Sequence, residues 1–189
     1  MGHMLASGSV YLRPFEAADA EVYRRWRADA DPMALAGWHE RAPLSLAQVQ
    51  ARIARLTEDH GKEVFTFLIC LVADERPIGE VMLADLDRVN GSAQLGIFIG
   101  EAGEWGMGYG TDAVNAIVDF GFGELRLERI WLNVWTENPR ARRAYEKAGF
   151  VREGTLRHDR YEHGAHTSGD IMSLLRTEWE ALSRRSMSR

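Results

Sequence analysis

Three glycines at alternate positions, followed directly by an amphipathic helix, are the residues whose spacing most clearly suits ligand chemistry. They are Gly106, Gly108 and Gly110 in the segment Trp-Gly-Met-Gly-Tyr-Gly-Thr-Asp-Ala. Because glycine lacks a Cβ atom, the backbone can approach a ligand closely there. The unpaired N–H groups of a first helical turn face the same place, with the positive end of the helix dipole behind them. The pattern predicts a site for an anion such as a pyrophosphate, and the alternative is a plain strand-to-helix connection.

The elements around this turn indicate which nucleotide it could hold. An apolar strand, residues 92–99, precedes it, and the helix begins near Thr111. The buried helical face consists of Ala113, Val114, Ile117, Val118, Phe122 and Leu125. A P-loop needs a lysine directly after its last glycine, but Thr111 follows Gly110 here. A dinucleotide fold has its glycine turn after the first strand, whereas two helices and several strands come earlier in this chain. Both of these nucleotide sites are therefore disfavoured.

A second segment, Asn138 to Phe150, predicts a short helix with clear ends. Asn138 is a good N-cap, a proline suits the first helical position, and Gly149 suits the C′ position that ends the helix. Asn138 and Tyr145 are close to two turns apart, so they share one face with the small Ala141 between them. A slim ligand could lie along that face. The alternative is that Tyr145 is a core tyrosine with a satisfied hydroxyl.

Together, the two segments resemble the GNAT superfamily of acyl-CoA-dependent N-acetyltransferases. The glycine turn is similar to its pyrophosphate-binding motif, and Asn-x-x-Ala-x-x-x-Tyr-Glu-Lys-x-Gly-Phe is similar to its second cofactor-binding helix. The RimJ/RimL-like branch is the most similar in its Trp-Gly-x-Gly-Tyr turn and in a Glu-Trp pair near the end, here Glu178-Trp179. The resemblance covers nearly the whole chain. It implies an α/β fold with a mixed, mostly antiparallel sheet, splayed between the fourth and fifth strands, with helices on both faces.

The resemblance also implies a cofactor, acetyl-CoA, and the residues that bind it. Backbone groups of residues 96–99 would pair with the pantetheine amides, and N–H groups of residues 105–111 would hold the pyrophosphate. The cofactor-binding residues implied in this way are Ile97, Phe98, Ile99, Trp105, Gly106, Met107, Gly108, Tyr109, Gly110, Thr111 and Asn138. Trp105 stands where the family often has Gln or Arg. Tyr145 matches the tyrosine that protonates the departing thiolate.

The chemistry implied is attack of an amine on a thioester, and it requires a group that takes the proton of the ammonium. Family members often place a glutamate at positions that here hold Gln94 and Asn133. Neither amide can act as a general base, and strand alternation places Asn133 in the cleft or in a second apolar layer. Ordered waters could carry the proton instead. Alternatively, the base is one of four groups on neighbouring segments, namely Glu80, Asp85, Glu101 and His158.

Three other features allow both a functional and a plain interpretation. The cations Arg140, Arg142, Arg143 and Lys147 could reach the 3′-phosphate of coenzyme A or form a solvated helix face. Residues 32–43, with Trp38, His39 and Glu40, could select the acceptor or simply cover the hydrophobic core. The histidines His158, His163 and His166 lie in a polar turn without a fourth ligand, so we expect no metal.

Composition indicates one compact domain. The chain has 189 residues, 46% of them hydrophobic, and a net charge of −5, which argues against nucleic-acid binding. We expect a cloning remnant or disordered start at 1–8, one acetyltransferase domain at 9–182 and a disordered tail at 183–189. No apolar run is long enough to span a membrane and no signal peptide is evident, so we expect a cytoplasmic protein. We expect it to be a monomer or a homodimer. The single cysteine, Cys70, is expected to be buried.

Periodicity and turn signals predict the order of elements. Helices are predicted at 17–29, 45–60, from about 111 and from 139, and strands at 10–15, 64–74, 78–87, 92–99, 129–135, 151–158 and 170–175. The resulting hypothesis is an N-acetyltransferase that acts on a primary amine, either a protein N-terminus or a small molecule such as an amino acid or antibiotic. The contrasting hypothesis is a noncatalytic acyl-CoA-binding sensor or partner module.

Overall fold

The computed structural model describes residues 5–28, 44–162 and 164–187. Its strands are β1 (Ala6–Ser7), β2 (Val10–Arg13), β3 (Phe65–Leu71), β4 (Pro77–Asp87), β5 (Ser92–Ile99), β6 (Arg129–Trp135), β7 (Val151–Glu162) and β8 (Ala165–Leu175). Its α-helices are α1 (Ala20–Ala28), α2 (Leu46–Asp59), α3 (Tyr109–Gly123), α4 (Pro139–Lys147) and α5 (Arg176–Met187). Short 3₁₀ helices cover Ala17–Asp19 and Ala102–Glu104.

The strands form one mixed sheet in the order β1-β2-β3-β4-β5-β6-β8-β7. Neighbouring strands are antiparallel except for β5 and β6, which are parallel. That parallel pairing joins only Ser92 through Gln94 to Arg129 through Trp131, so the remaining lengths of the two strands diverge. The predicted splay is confirmed. It lies between the fifth and sixth strands because the two-residue strand β1 adds one to the count.

Each face of the sheet packs against its own set of helices. On β3, Phe67 and Ile69 belong to a core cluster that includes the buried face of α3, while Leu68 and Cys70 belong to a second cluster with α1 and α2. Alternate residues of a strand point to opposite faces, so this division follows from the apolar run of β3. The prediction that Cys70 is buried is confirmed. The glycine turn, α3 and α4 therefore lie on one side of the sheet and α1 with α2 on the other.

Local signals place the helix ends close to their predicted positions. Ser45 caps α2 in a capping box with Gln48, and Asn138 caps α4 by accepting from the N–H of Ala141 at 3.0 Å. Gly149 ends α4 with φ 96°, a left-handed conformation in which glycine carries no Cβ penalty. Asn138 and Gly149 therefore fix the two ends of the helix that presents Tyr145.

Several boundaries differ from the sequence prediction. Helix α3 begins at Tyr109, two positions before Thr111, because Gly108 serves as its N-cap. Strands β7 and β8 extend the predicted 151–158 and 170–175, since their polar ends still pair around Gly164. Residues 183–187, expected in a disordered tail, continue α5, which contains no glycine or proline to stop it. Within the described ranges, no helix is long and apolar enough to cross a membrane.

Candidate active site

A cavity of about 350 Å³ lies where β5 and β6 diverge. It is lined by residues from β5, the glycine turn, β6 and α4. Among them are the predicted residues Ile97, Phe98, Ile99, Trp105, Gly106, Gly108, Gly110, Thr111, Asn138 and Tyr145. Two other predicted residues, Met107 and Tyr109, are not part of this lining. The Met107 side chain points to solvent at 64% exposure, and the ring of Tyr109 packs against the core.

The glycine turn has the geometry of an anion cradle. Gly106 and Gly108 have φ values of 83° and 95°, which favour glycine, and Gly108 caps α3. A Cβ atom added to Gly106, Gly108 or Gly110 would meet no protein atom within 4 Å. In the described part of the chain, the N–H groups of residues 106–109 donate to no backbone carbonyl. Open space and unpaired donors at a helix N-terminus fit a pyrophosphate.

The acid in the first turn of α3 faces away from this cradle. Asp112 would repel a phosphate if its carboxylate lay beside the glycines. Instead it accepts a hydrogen bond from the N–H of Ser9 at 2.9 Å, and a Cβ atom on Gly8 would overlap it. The carboxylate therefore anchors the turn between β1 and β2.

Trp105 connects the two predicted motifs. Its indole N–H donates to the carbonyl oxygen of Ile99 at 3.0 Å, which holds the ring at the end of β5. The guanidinium carbon of Arg140, on α4, lies 4.1 Å from the Trp105 ring centroid. Burial lowers the pKa of Arg140 from its ordinary value. A tryptophan in place of the family's usual Gln or Arg thus gives Arg140 a stacking surface.

Three of the four predicted cations line the cavity: Arg140, Arg143 and Lys147. Arg142 does not, because its guanidinium lies 3.9 Å from Asp170 and 3.8 Å from Glu146. Of the two alternatives for these cations, a position toward the ligand therefore does not apply to Arg142. A helix turns about 100° per residue, so neighbouring positions on α4 face different directions.

Tyr145 is a buried residue of the cavity lining. The residue is 7% exposed, and its ring centroid is 5.9 Å from that of Phe150. Burial raises the pKa of its phenol above the ordinary value, so the hydroxyl is protonated at neutral pH. No side chain or backbone group of residues 5–28, 44–162 or 164–187 forms a hydrogen bond with it. The geometry therefore offers a protonated, uncommitted donor to a group in the cavity.

A sequence profile of the acetyltransferase (GNAT) domain matches residues 9–151. This chain belongs to the GNAT acetyltransferases. It is 31% identical over 192 residues to the probable N-acetyltransferase YjcK of Bacillus subtilis, covering 94% of this chain and 99% of that protein. It is 26% identical to the spermidine N(1)-acetyltransferase of Vibrio cholerae, covering 89% and 94% of the two chains.

A solved structure agrees with this family at the level of the fold. The Vibrio cholerae spermidine N-acetyltransferase, in complex with CoA and spermine, superposes with a TM-score of 0.81 at 24% identity, covering 91% of this chain and 98% of that one. As a GNAT acetyltransferase, this chain is an N-acetyltransferase that uses acetyl-CoA.

The carboxylates considered as general bases in this GNAT acetyltransferase are engaged elsewhere. Glu80 is buried and forms an ion pair with Arg27 at 2.5 Å, beside the hydroxyl of Tyr23. Burial raises the pKa of Glu80, and the guanidinium opposes that shift. Glu101 accepts the indole N–H of Trp26 at 2.9 Å and also pairs with Arg25. Neither carboxylate lines the cavity.

The other base candidates also lie outside the cavity. Asp85 is exposed at an irregularity of β4 with φ 50°, and the ring of His158 stacks on that of His166 at 5.4 Å. Gln94 lies in the parallel β5–β6 pairing, before the strands diverge. His163 and the segment 32–43 fall outside the described residues. Among the residues that are described, no group of three or more His, Cys, Asp or Glu side chains could hold a metal ion.

Asn133 does line the cavity, and it contacts an acid that sequence reasoning missed. Its Nδ2 donates to Oδ2 of Asp159 at 2.6 Å. Arg160, also absent from the sequence prediction, lines the cavity beside them. The pairing of β7 shifts register between Leu156 and Arg160, so Asp159 lies within the shift and Arg160 ends it, and strand alternation does not predict the face they occupy.

Proposed function

We propose that this enzyme transfers the acetyl group of acetyl-CoA to a primary amine by direct attack, with Tyr145 as the general acid. The observation that carries the proposal is that one cavity, at the splay of the sheet, contains both the glycine cradle and the protonated hydroxyl of Tyr145. A noncatalytic acyl-CoA-binding module would need the cradle but not a proton donor in the same cavity.

The residues present suit coenzyme A along its length. The N–H groups of residues 105–111 would hold the pyrophosphate, and the edge of β5 beyond Gln94, which is not paired to β6, would receive the pantetheine amides. Arg140, Arg143 and Lys147 would face the 3′-phosphate. When bound, acetyl-CoA supplies an electrophilic acyl carbonyl and a thiolate leaving group.

The amine would reach the acyl carbonyl from the opposite side of the sheet. Leu132 and Val134 belong to the core on the cofactor side, so Asn133 between them points toward the side of α1 and α2. The ammonium loses one proton to water, and the lone pair of the resulting amine forms the new C–N bond. The nitrogen then loses a second proton to water as the C–S bond breaks. The departing sulfur takes the proton of Tyr145, which solvent then replaces.

The charge of the described lining supports an acceptor with a single ammonium group. Arg140, Arg143 and Lys147 lie with the cofactor, and the carboxylate of Glu104 pairs with Arg76 at 2.5 Å, so Arg160 is the remaining charged side chain of the described lining. Such a surface suits a protein N-terminus, as in RimJ/RimL-like enzymes, or a small monoamine better than a polyamine.

We further propose that the enzyme works in the cytoplasm.

An acceptor screen tests this proposal. Purified protein with acetyl-CoA is offered N-terminal peptides, amino acids, aminoglycosides and spermidine, while thiol release is followed and products are weighed by mass spectrometry. We expect amine-dependent thiol release matched by a mass gain of one acetyl group. Tight binding of acetyl-CoA by calorimetry, without release for any amine, would instead favour the noncatalytic module.

A further inference from the structure

The side chains of Asn133 and Asp159 meet across the width of one strand. Asn133 is on β6 and Asp159 on β7, and β8 lies between those strands. Their 2.6 Å hydrogen bond passes over Gly169 of β8, where an added Cβ atom would lie 2.1 Å from Oδ1 of Asn133. The absence of a side chain at Gly169 is therefore a condition for the contact.

An irregularity of β7 delivers Asp159 to this position. The pairing of β7 with β8 shifts register between Leu156 and Arg160, and His158 has φ 53°. A left-handed residue inside a strand is uncommon and indicates a backbone held in place by its surroundings. The bulged segment turns the Asp159 carboxylate toward β6 while leaving its side chain 23% exposed.

The carboxylate has capacity left for a ligand. Oδ2 accepts from Asn133 and lies 3.6 Å from Nε of Arg160, whereas Oδ1 accepts no hydrogen bond from any described residue. Asn133 and Arg160 both line the cavity, on the side of the sheet opposite the glycine cradle. A solvent-accessible carboxylate, with Arg160 beside it, thus borders the cavity on the side from which the amine would arrive.

We propose that Asp159, held in place by Asn133, binds the ammonium group of the acceptor amine. This inference rests on the proposed function and names the residue that selects a charged acceptor. A carboxylate and an ammonium form a charge-assisted hydrogen bond, which is stronger than a neutral one. Asn133 acts as the positioning residue, because its amide fixes the carboxylate at the border of the cavity.

A structural role for the same contact would be to fasten the β7–β8 hairpin to β6, and acceptor charge separates the two roles. An aliphatic primary amine is an ammonium at pH 7, whereas an arylamine is neutral. In Asp159→Asn, we expect KM for the aliphatic amine to rise about tenfold or more, in line with the loss of a charged hydrogen bond. KM for the arylamine and Kd for acetyl-CoA should stay within about twofold. A fastening role would affect both amines alike.

Glu153→Gln is the matched control. Glu153 is on the same strand, and the substitution removes the same charge. Its partners are Arg129 at 2.6 Å and Ser173 at 2.6 Å, and neither of them lines the cavity, unlike the partners of Asp159. It should leave both KM values unchanged.

Gly169→Ala tests the positioning role without removing a polar group. The new Cβ atom must displace the Asn133 amide, so KM for the aliphatic amine should rise as in Asp159→Asn. In an Asn133→Ala background, Gly169→Ala should add little, because coupled residues give non-additive effects.

Equal KM changes for the two amines in Asp159→Asn, or an equal change in Glu153→Gln, would overturn the ammonium site while leaving acetyl transfer intact. A wild-type enzyme that acetylates no amine would overturn both proposals.

Discussion

The guanidinium carbon of Arg140 lies 4.1 Å from the ring centroid of Trp105, so the helix that carries Tyr145 is stacked directly on the glycine turn. The two residues come from different motifs and from opposite sides of the gap between β5 and β6. Both residues line the cavity, whereas Asn133 faces the opposite side of the sheet, where the acceptor would enter. Cofactor binding and acceptor binding can therefore be tested with separate variants.

Gly110→Ala should weaken coenzyme A binding without harming the fold. Gly110 is helical and has an ordinary φ, and an added Cβ atom would meet nothing within 4 Å of protein. Alanine also favours a helix over glycine by roughly 0.5–1 kcal/mol. Calorimetry should show at least a tenfold rise in Kd, while the midpoint of thermal unfolding stays level or rises.

Gly123→Ala is the control for this variant. Gly123 ends the same helix, has open space around an added Cβ atom, and does not line the cavity. Equal affinities for coenzyme A in Gly110→Ala, Gly123→Ala and the wild type would show that the glycine turn does not bind the pyrophosphate.

Arg143→Ala should lower affinity for coenzyme A through the 3′-phosphate. Arg143 lines the cavity, whereas its neighbour Arg142 pairs with Asp170. Loss of one exposed charged contact is worth about 1 kcal/mol, or roughly fivefold in Kd at low salt. The loss should vanish with dephospho-CoA, and Arg142→Ala should not show it. An equal loss with both ligands would place Arg143 away from the 3′-phosphate.

Glu80→Gln should destabilise the protein rather than stop the chemistry. Glu80 and Arg27 are nearly fully buried, with side chains 3% and 2% exposed, so the variant breaks a buried ion pair. Breaking such a pair costs about 3–5 kcal/mol in free energy of unfolding, measured by denaturant titration. Glu80→Met with Arg27→Met should recover much of that loss. A stable Glu80→Gln protein with kcat reduced by two orders of magnitude would instead identify Glu80 as the base.

The sequence predicted the elements that carry the cofactor site because their signals are local. A glycine turn, an N-cap asparagine and a terminal glycine each act within a few residues, and strands β5 and β6 have their predicted bounds. The Asn133–Asp159 contact depends on a bulge in β7 and on space above Gly169, neither of which leaves a periodic pattern. Likewise, sequence could not distinguish Arg142 from Arg143, since the distinction depends on Asp170 from a distant strand.

The pH dependence of kcat/KM should follow the acceptor amine. If water takes the proton, kcat/KM rises with pH until the acceptor amine is deprotonated. The midpoint of this rise then shifts when an amine of different pKa is used. Burial raises the pKa of Tyr145, so no descending limb should occur near the ordinary tyrosine value of about 10. A rising limb that stays fixed for two amines would indicate a protein base.

Turnover of Tyr145→Phe tests the central claim most directly. The substitution keeps the buried ring and removes only the hydroxyl, so Kd for acetyl-CoA should stay within about twofold while kcat falls about a hundredfold or more. Tyr11→Phe, which removes a phenol buried in the opposite core cluster, should leave kcat unchanged. An unaltered kcat in Tyr145→Phe would contradict the account and make Tyr145 a packing residue.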